Sequence, residues 1–304
     1  MPHTRDRAAA DGDPTAAAAA ANDDANGDAD DGGDADVDAD VDAVAAAGVD
    51  AAAAAVTVDG LSFAYPDGTP VFEKLSLVIP VGARCLLLGA NGVGKSTLLR
   101  IVAGRHLLPG DPVRVLGRSA FHDTSLAGEV AFIGGSFPFF ADVSVREILE
   151  RRTGIDPRRR AEVIEILDVD PGWRMHRVSD GQRRRVQLLL DLERPLRLIL
   201  LDEVTADLDV LARADLLRFL REESAVRGVT VVYASHVLEG LQEFGTHLAF
   251  LSPGRLRCLA PLGELPELRE IARRPAPACA VSALHELSER WMREDRRELR
   301  RSPA

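Results

Sequence analysis

The stretch GANGVGKS, residues 89–96, decides the fold of this chain. A glycine, four further residues and then Gly-Lys-Ser form the pattern of a phosphate-binding loop, or P-loop. The stretch follows the apolar run RCLLLG (84–89), typical of a buried parallel strand, and opens the helical pattern KSTLLRIVAG (95–104). Glycines let backbone amides face phosphate oxygens, and a helix N-terminus favours negative charge. The sequence therefore predicts a nucleotide site in which Lys95 reaches the β- and γ-phosphates and Ser96 holds Mg²⁺.

A second motif supplies acidic groups. LILLDE (198–203) has four apolar residues followed by Asp202 and Glu203. Two adjacent acids at the end of a strand are often ordinary turn residues. Beside a P-loop, however, Asp202 is expected to reach Mg²⁺ through water, and Glu203 to polarise an attacking water molecule.

Strand and helix patterns alternate along most of the chain. Short strand patterns at 56–82 precede the P-loop. Helical patterns fill about 142–182, where Asp156 is the expected cap of a helix with Pro157 at its first position. A helical pattern at 211–223 and a strand pattern, VTVVYASH, at 229–236 follow the acidic motif. This alternation predicts an α/β fold with a mostly parallel sheet.

The acidic character of the chain is confined to its first residues. The 304 residues carry a net charge of −11, and residues 1–55 contain 14 aspartates and 2 arginines, a net charge of −12. Because this segment has few large apolar groups, we expect a disordered acidic low-complexity tail. The rest of the chain is nearly neutral, which argues against direct nucleic-acid binding. Two basic triplets, at 158–160 and 183–185, are interpreted as solvated helix faces.

The remaining features concern compartment and the C-terminal end. No apolar run approaches the roughly 18 residues of a membrane span. The three cysteines, Cys85, Cys258 and Cys279, show no disulfide or metal spacing, and Cys85 is expected to be buried. Residues 265–304 are predicted to form a charged helical tail. Its helix is either packed lightly on the surface of the domain or bound to a partner.

A third motif, VSDGQ (178–182), places a serine and a glycine before a helix, which is either an anion site or an ordinary helix cap. Together with GANGVGKST, LLDE, ADLD and YASH, it resembles ATP-binding cassette (ABC) ATPase domains in order and spacing, over about residues 56–260. The resemblance implies a mostly parallel core sheet, an antiparallel β subdomain and a helical subdomain that carries the signature motif. It places the ATPase domain at 56–264.

The resemblance also implies a role for each matching residue. Catalytic roles fall on Glu203 and His236, Mg²⁺ binding on Ser96 and Asp202, and coupling between the two sites of a dimer on Asp209. The signature, which would act on the ATP of the other subunit, comprises Ser179, Asp180, Gly181 and Gln182. ATP itself would contact Tyr65, through adenine stacking, and the P-loop residues Gly89, Ala90, Asn91, Gly92, Val93, Gly94, Lys95, Ser96 and Thr97.

Three positions depart from the ABC pattern. Asp180 replaces the first glycine of the signature and adds negative charge near a phosphate site. Val204 stands where a proline is usual. Gly135, in the stretch IGGSFPFF (133–140), occupies the place of a glutamine that in transporters approaches Mg²⁺ in a loop that meets the membrane domain.

Longer phrases such as CLLLGANGVGKSTLLRIVAG and WRMHRVSDGQRRRVQ resemble a soluble, non-intrinsic ABC subfamily without membrane domains. It includes plant members and a fungal protein associated with the Ccr–Not mRNA-regulating complex. The resemblance implies a cytoplasmic homodimer that uses ATP as a switch, with a nuclear location as an alternative. Two other functions stay open. One is the energy subunit of a transporter with a separate membrane chain, and the other is an ATP-binding scaffold with little turnover.

Overall fold

The computed structural model describes residues 53–135, 141–204, 208–274 and 282–301. Residues 1–52 of the predicted tail lie outside the described residues. Its predicted end at 55 is wrong, because Ala54 and Ala55 are buried in the first strand.

The strands are β1 Ala54–Ala64, β2 Pro70–Pro80, β3 Arg84–Gly89, β4 Val113–Val115, β5 Arg118–Ser119, β6 Val130–Gly134, β7 Leu198–Asp202, β8 Thr230–Ala234, β9 His247–Ser252 and β10 Arg255–Pro261. The helices are α1 Lys95–Val102, α2 Val145–Glu150, α3 Pro157–Ile166, α4 Asp180–Leu192, α5 Val210–Arg227, α6 Leu241–Phe244, α7 Pro266–Arg273 and α8 Ala283–Arg301.

The larger sheet confirms the predicted α/β architecture. Its strand order is β10-β9-β3-β8-β7-β6, with β9 and β10 antiparallel and the other neighbours parallel. The P-loop strand β3 is therefore central, and β8 separates it from the acidic strand β7. Leu87 of β3 and Asp202 of β7 both pair with Ala234 of β8, so the carboxyl ends of these strands share one edge. This register brings the P-loop and the acidic motif together.

The smaller sheet is antiparallel, with the order β2-β1-β4-β5. Alternating apolar residues such as Val56 and Val58 are buried, and they pair with Ile79 and Leu77 of β2. Together with α1, this sheet covers one face of the parallel sheet, where it shares a cluster with Leu87. The opposite face of the parallel sheet packs against helices. Because both faces are covered, the central strands are apolar throughout.

Cys85 lies in the core of this sandwich. It is buried in β3, and burial raises the pKa of its thiol to about 12. The prediction of a buried Cys85 side chain is confirmed, whereas Cys279 lies outside the described residues.

The helices α2 and α3 lie in the segment predicted to be helical, at about 142–182, whereas α4 begins in it and extends beyond it to Leu192. Asp156 caps α3 by accepting the amide of Arg158 at 2.9 Å, with Pro157 at the first helical position, as the sequence predicts. The signature helix α4 begins at Asp180 rather than after Gly181. The predicted start was too far along the chain, because the cap is Ser179, whose side chain accepts the Gln182 amide.

The C-terminal helix α8 packs more deeply than the expected light surface contact. Leu284, Leu287 and Trp291 are buried in the helical-face core, and the rings of Trp291 and Phe250 meet edge to face with centroids 5.0 Å apart. The buried Asp295 carboxylate accepts the Ser252 hydroxyl at the end of β9, at 2.8 Å. Within the described ranges, no helix combines the length and apolar character needed to cross a membrane.

Candidate functional site

The P-loop joins β3 to α1 through a backbone that only glycine tolerates at two positions. Gly89 has φ +145°, and a Cβ there would lie 2.4 Å from the Leu251 carbonyl oxygen. Gly94 has φ +104° and is the N-cap of α1, where a Cβ would lie 2.7 Å from the Val71 and Phe72 side chains. The close approach therefore requires glycine at both positions. The first amides of α1 receive no side-chain cap and remain available to an anion.

Lys95 is held inside the loop. Its ammonium donates to the carbonyl oxygens of Gly89 at 2.8 Å and Ala90 at 2.9 Å. Burial lowers the pKa of Lys95, and the nearby carboxylates of Glu203 and Asp202 partly oppose that effect. The ammonium is already bound to two carbonyl groups and is largely desolvated. A phosphate that enters the loop would therefore gain a positively charged hydrogen-bond donor and displace little water from it.

The Ser96 hydroxyl donates to Asp202 at 2.9 Å, which joins the P-loop helix to the acidic strand. Burial raises the pKa of Asp202, although the Ser96 hydrogen bond, Arg100 and Lys95 favour its charged form. Among the described residues no group of three or more His, Cys, Asp or Glu side chains could hold a metal by itself. One hydroxyl and one carboxylate suit Mg²⁺, which commonly takes few protein ligands together with phosphate oxygens and water.

Glu203 stands in a strained backbone conformation. Its φ is +54°, uncommon for a residue other than glycine, and its amide donates to the Ala234 carbonyl at 2.9 Å. Such a conformation costs about 1–2 kcal/mol and is concentrated at functional sites. The His236 ring nitrogen Nδ1 lies 3.3 Å from a Glu203 carboxylate oxygen. Both side chains are exposed to solvent and line the same pocket as Lys95 and Ser96.

Tyr65 lies at the edge of this pocket. Its hydroxyl is hydrogen-bonded to the Thr97 hydroxyl at 2.7 Å, and its ring packs edge to face on Phe63 with centroids 5.3 Å apart. The segment 69–71, where β2 begins, also lines the pocket, although no sequence pattern marks it as part of a site. Its residues Thr69, Pro70 and Val71 carry no motif, so only the fold could place them there.

The signature motif is a capping box. Ser179 accepts the Gln182 amide at 3.2 Å, and the Gln182 side chain accepts the Ser179 amide at 2.9 Å. Asp180 follows in the first turn of α4. In the described part of the chain, no signature residue lines the pocket that holds Lys95 and Glu203. A single copy therefore does not bring its own signature to its own P-loop pocket.

Asp209 has two roles in the structure. It caps α5 by accepting the Ala212 amide at 2.9 Å, and it is paired with Arg185 of the signature helix. The Ala212 amide and the Arg185 guanidinium hold the pKa of Asp209 below its ordinary value. Arg185 also reaches Asp168 at 3.1 Å. The sequence did not reveal Arg185 as a partner of Asp209, because nothing local signals a contact across 24 residues.

Comparisons with known proteins fit this geometry. Residues 72–206 match the profile of the family described as "ABC transporter". The Arabidopsis thaliana protein "ABC transporter I family member 20" is 41% identical over 269 residues, which cover 82% of this chain and 79% of that protein. The chain belongs to the ABC family.

Further comparisons define the subfamily and the fold. The Saccharomyces cerevisiae protein "CCR4-associated factor 16" is 38% identical, over 66% of this chain and 77% of that protein. These two relatives confirm the expected resemblance to the subfamily of plant and fungal members. The solved dimeric cassette MJ0796, in a post-hydrolysis state with ADP and Pi, has a TM-score of 0.60 and 20% identity, and covers 68% of this chain and 98% of that chain. At this identity the likeness shows the ABC ATPase fold alone.

The position of the usual ABC glutamine has a distinctive backbone. Gly135 has φ +67° and open space around it, so a glutamine would fit there sterically but would be strained. Gly134 pairs with Asp202, and a Cβ on Gly134 would lie 2.6 Å from the Asp202 Cβ. The remainder of IGGSFPFF, at 136–140, lies outside the described residues. Because Gly134 has no side chain, its backbone lies directly against Asp202, the acid expected to approach Mg²⁺.

The interpretation of the basic triplets as solvated faces was wrong for three of their members. Arg159, Arg183 and Arg184 are buried. Arg159 binds the buried Glu223 through two hydrogen bonds of 3.0 and 2.9 Å. The triplet pattern was misleading because the acidic partner lies 64 residues away. Arg159 also donates to the Leu192 carbonyl at 2.9 Å, so this one guanidinium group joins α3 to both α4 and α5.

Proposed function

We propose that this ABC ATPase domain binds and hydrolyses Mg-ATP at the interface of a head-to-tail homodimer and acts as a nucleotide switch. The observation that carries the proposal is the convergence of Lys95, the Ser96–Asp202 pair, Glu203 and His236 on one pocket. This set contains a phosphate-binding cation, oxygen ligands for a cation and a base beside a histidine.

Each residue has a part that follows from its position. Lys95 and the first amides of α1 would bind the phosphates, and the Tyr65 ring would lie against adenine. Ser96 and Asp202 would hold Mg²⁺, which neutralises charge on the phosphate oxygens when bound. Glu203 would accept a proton from the attacking water, and His236, 3.3 Å from it, would contact the γ-phosphate.

A second copy is needed to complete this site. The signature at Ser179–Gln182 does not line its own chain's pocket among the described residues. In a head-to-tail dimer, the N-terminus of α4 would face the γ-phosphate bound by the other copy. The dimeric form of the solved cassette MJ0796 supports this arrangement. Closure with ATP and opening after hydrolysis would make the dimer a switch.

The test is Glu203→Gln, which keeps the size of the side chain but removes the base. Phosphate release should fall by about 100-fold or more, within the usual range for a lost general base. The variant with Mg-ATP should elute as a dimer in size-exclusion chromatography. Exposed Glu162→Gln is the control and should behave as wild type. A Glu203→Gln protein that stays monomeric with ATP would refute the dimer.

The process that the switch serves is proposed from the relatives. The name "CCR4-associated factor 16" supports association with a CCR4-containing complex. The subfamily resemblance adds that this complex would regulate mRNA, in the cytoplasm or the nucleus. Affinity purification of wild type and Glu203→Gln, with and without ATP, should recover such a complex in a nucleotide-dependent way. Recovery of a polytopic membrane protein instead would support a transporter subunit, which Gly135 disfavours.

Asp180 favours one further candidate, an ATP-binding scaffold with little turnover. Its carboxylate lies in the first turn of α4, at the helix end that would face phosphate in the dimer. Repulsion there would slow closure or hydrolysis. Equal, background-level phosphate release by wild type and Glu203→Gln would support the scaffold and remove the enzyme.

A further inference from the structure

A groove runs between the C-terminal helix α8 and the edge of the sheet that carries the P-loop. We call it the α8 groove, and its walls include Asn91, His236, Leu238, Pro253, Met292 and Leu299. Asn91 and His236 also line the ATP pocket. The α8 groove is therefore continuous with the nucleotide site, and a partner that covers one would reach the other.

The α8 wall of this groove is fixed in place. Asp295 is 4% exposed, and its carboxylate binds the Ser252 hydroxyl at 2.8 Å and the Arg257 guanidinium at 3.2 Å. Trp291 anchors the same turn in the core. On the groove side, Leu299 is 59% exposed and Met292 is partly buried. The groove thus presents apolar surface on a rigid support, with the charged side chains of Glu289 and Arg296 also in its lining.

An apolar pair of matching character stands at the start of α5. Val210 and Leu211 are 77% and 76% exposed. Among the large apolar side chains that are exposed in the described residues, they are the only two adjacent in sequence. They directly follow Asp209, the residue expected to couple the two sites of a dimer. Neither side chain lines the α8 groove of its own chain.

We propose that Val210 and Leu211 of one copy insert into the α8 groove of a second copy, so that α8 extends the ATP-dependent dimer interface. This inference rests on the head-to-tail dimer proposed above. The ABC resemblance gives Asp209 the coupling of the two sites of that dimer, so the proposal takes this residue to lie near the other copy's ATP pocket. Consecutive Cα atoms are about 3.8 Å apart, so Val210 and Leu211 would stay close to that pocket. The apolar surface that adjoins the pocket is the α8 groove, which shares Asn91 and His236 with it. Two-fold symmetry makes the contact occur twice.

Crosslinking between two different chains tests this contact. Both chains carry Glu203→Gln, with Cys258→Ser and Cys279→Ser to remove background thiols. One also carries Leu211→Cys and the other Leu299→Cys, and both replaced leucines are exposed, so folding should be unaffected. A short bis-maleimide should link them at least tenfold more with Mg-ATP than without it.

Val226 provides a matched control on the same helix. It is 82% exposed and 15 positions beyond Leu211, which corresponds to about 22 Å along a helix. Val226→Cys with Leu299→Cys should give no ATP-dependent crosslink. An ATP-dependent dimer that lacks the 211–299 crosslink, or crosslinks equally at 226, overturns the groove contact but leaves the proposed function standing. Absence of any ATP-dependent dimer overturns both.

Discussion

The domain contains two helix N-termini assigned to phosphate, and they are built in opposite ways. At the P-loop, α1 starts from Gly94 in a left-handed backbone, with no side-chain cap and no acid in its first turn. At the signature, α4 starts from a capping box between Ser179 and Gln182, with Asp180 in its first turn. The first end has no side-chain acceptor for its amides, whereas the second binds the Ser179 and Gln182 amides with its own side chains.

The two ends also differ in their contribution to stability: the signature stabilises the domain, whereas the P-loop site is maintained at a cost. Around the P-loop, burial shifts the pKa values of Lys95 and Asp202 against their charged forms, and Glu203 holds a strained φ. At the signature, every feature is one that stabilises a helix start. The P-loop is thus a preformed site maintained at a cost, whereas the signature end is a stable helix start that we propose acts on a second copy. Removal of an acid should therefore raise stability at the P-loop site and lower it at the signature.

The largest effect should come from filling the close approach at the P-loop. Gly89→Ala forces a Cβ against the Leu251 carbonyl oxygen, and overpacking of this kind costs about 1–3 kcal/mol. ATP binding should be lost as well, because the loop must move. Gly92→Ala is the control, since its φ is +82° but no atom lies within 4 Å. It should cost only about 1 kcal/mol of backbone strain. Chemical denaturation and ATP titration measure both, and equal effects would contradict the close-approach argument.

Sequence patterns predicted the elements around this loop well, because periodicity and caps are local. The apolar run before Gly89 had to be a buried strand, and the start of α3 was readable from Asp156 and Pro157. Asp202 could be expected near Ser96, since parallel strands bring their carboxyl ends to one edge.

Long-range polar pairs were not predictable in the same way. Arg159 and Glu223 find each other across 64 residues, and their triplet looked like any solvated helix face. Arg185 and Asp209 are a second case. The buried Ala54 and Ala55 escaped notice because their composition matches that of the tail before them. Such contacts depend on packing, which local patterns do not encode.

Asp202→Asn should raise the stability of the nucleotide-free protein while it weakens Mg-ATP binding. Burial raises the pKa of Asp202 above its ordinary value of 3.8, so the folded state disfavours the charged form. The stability of the wild type therefore falls as pH rises from the ordinary pKa of 3.8 through the raised pKa of the folded state. The variant, which has no carboxylate at this position, does not lose this stability. We expect a gain of about 0.5–2 kcal/mol at neutral pH, the range of stabilising substitutions, which disappears in acid.

Asp209→Asn is the control with the opposite sign. The Ala212 amide and Arg185 lower the pKa of Asp209, so its contribution is present above the ordinary carboxyl pKa and is lost as pH falls. Thermal unfolding from pH 3 to 8 measures both variants, and a loss of stability in Asp202→Asn at neutral pH would refute the cost assigned to the P-loop.

Ser179→Ala removes the cap of the signature helix and should cost about 1 kcal/mol of stability. ATP affinity of the monomer should not change, because Ser179 does not line the P-loop pocket. Ser144→Ala is matched, since Ser144 and Glu147 form the same capping box on α2. Both variants should lose similar stability, but only Ser179→Ala should also weaken the ATP-dependent dimer in analytical ultracentrifugation. Equal dimerisation of the two variants would mean that the signature has no role across the interface.

The smallest effect should come from Asp180→Asn, which removes one charge at nearly constant size. An acid in the first turn of a helix stabilises it by about 0.3–1 kcal/mol, and salt screens the effect. The variant should therefore be slightly less stable at low ionic strength and equal to wild type at high salt. Its ATP-dependent dimer should be tighter by about two- to fivefold, because a carboxylate no longer faces phosphate. A weaker dimer would instead make Asp180 a contact across the interface, and the negative charge in this signature would then serve binding rather than helix stability.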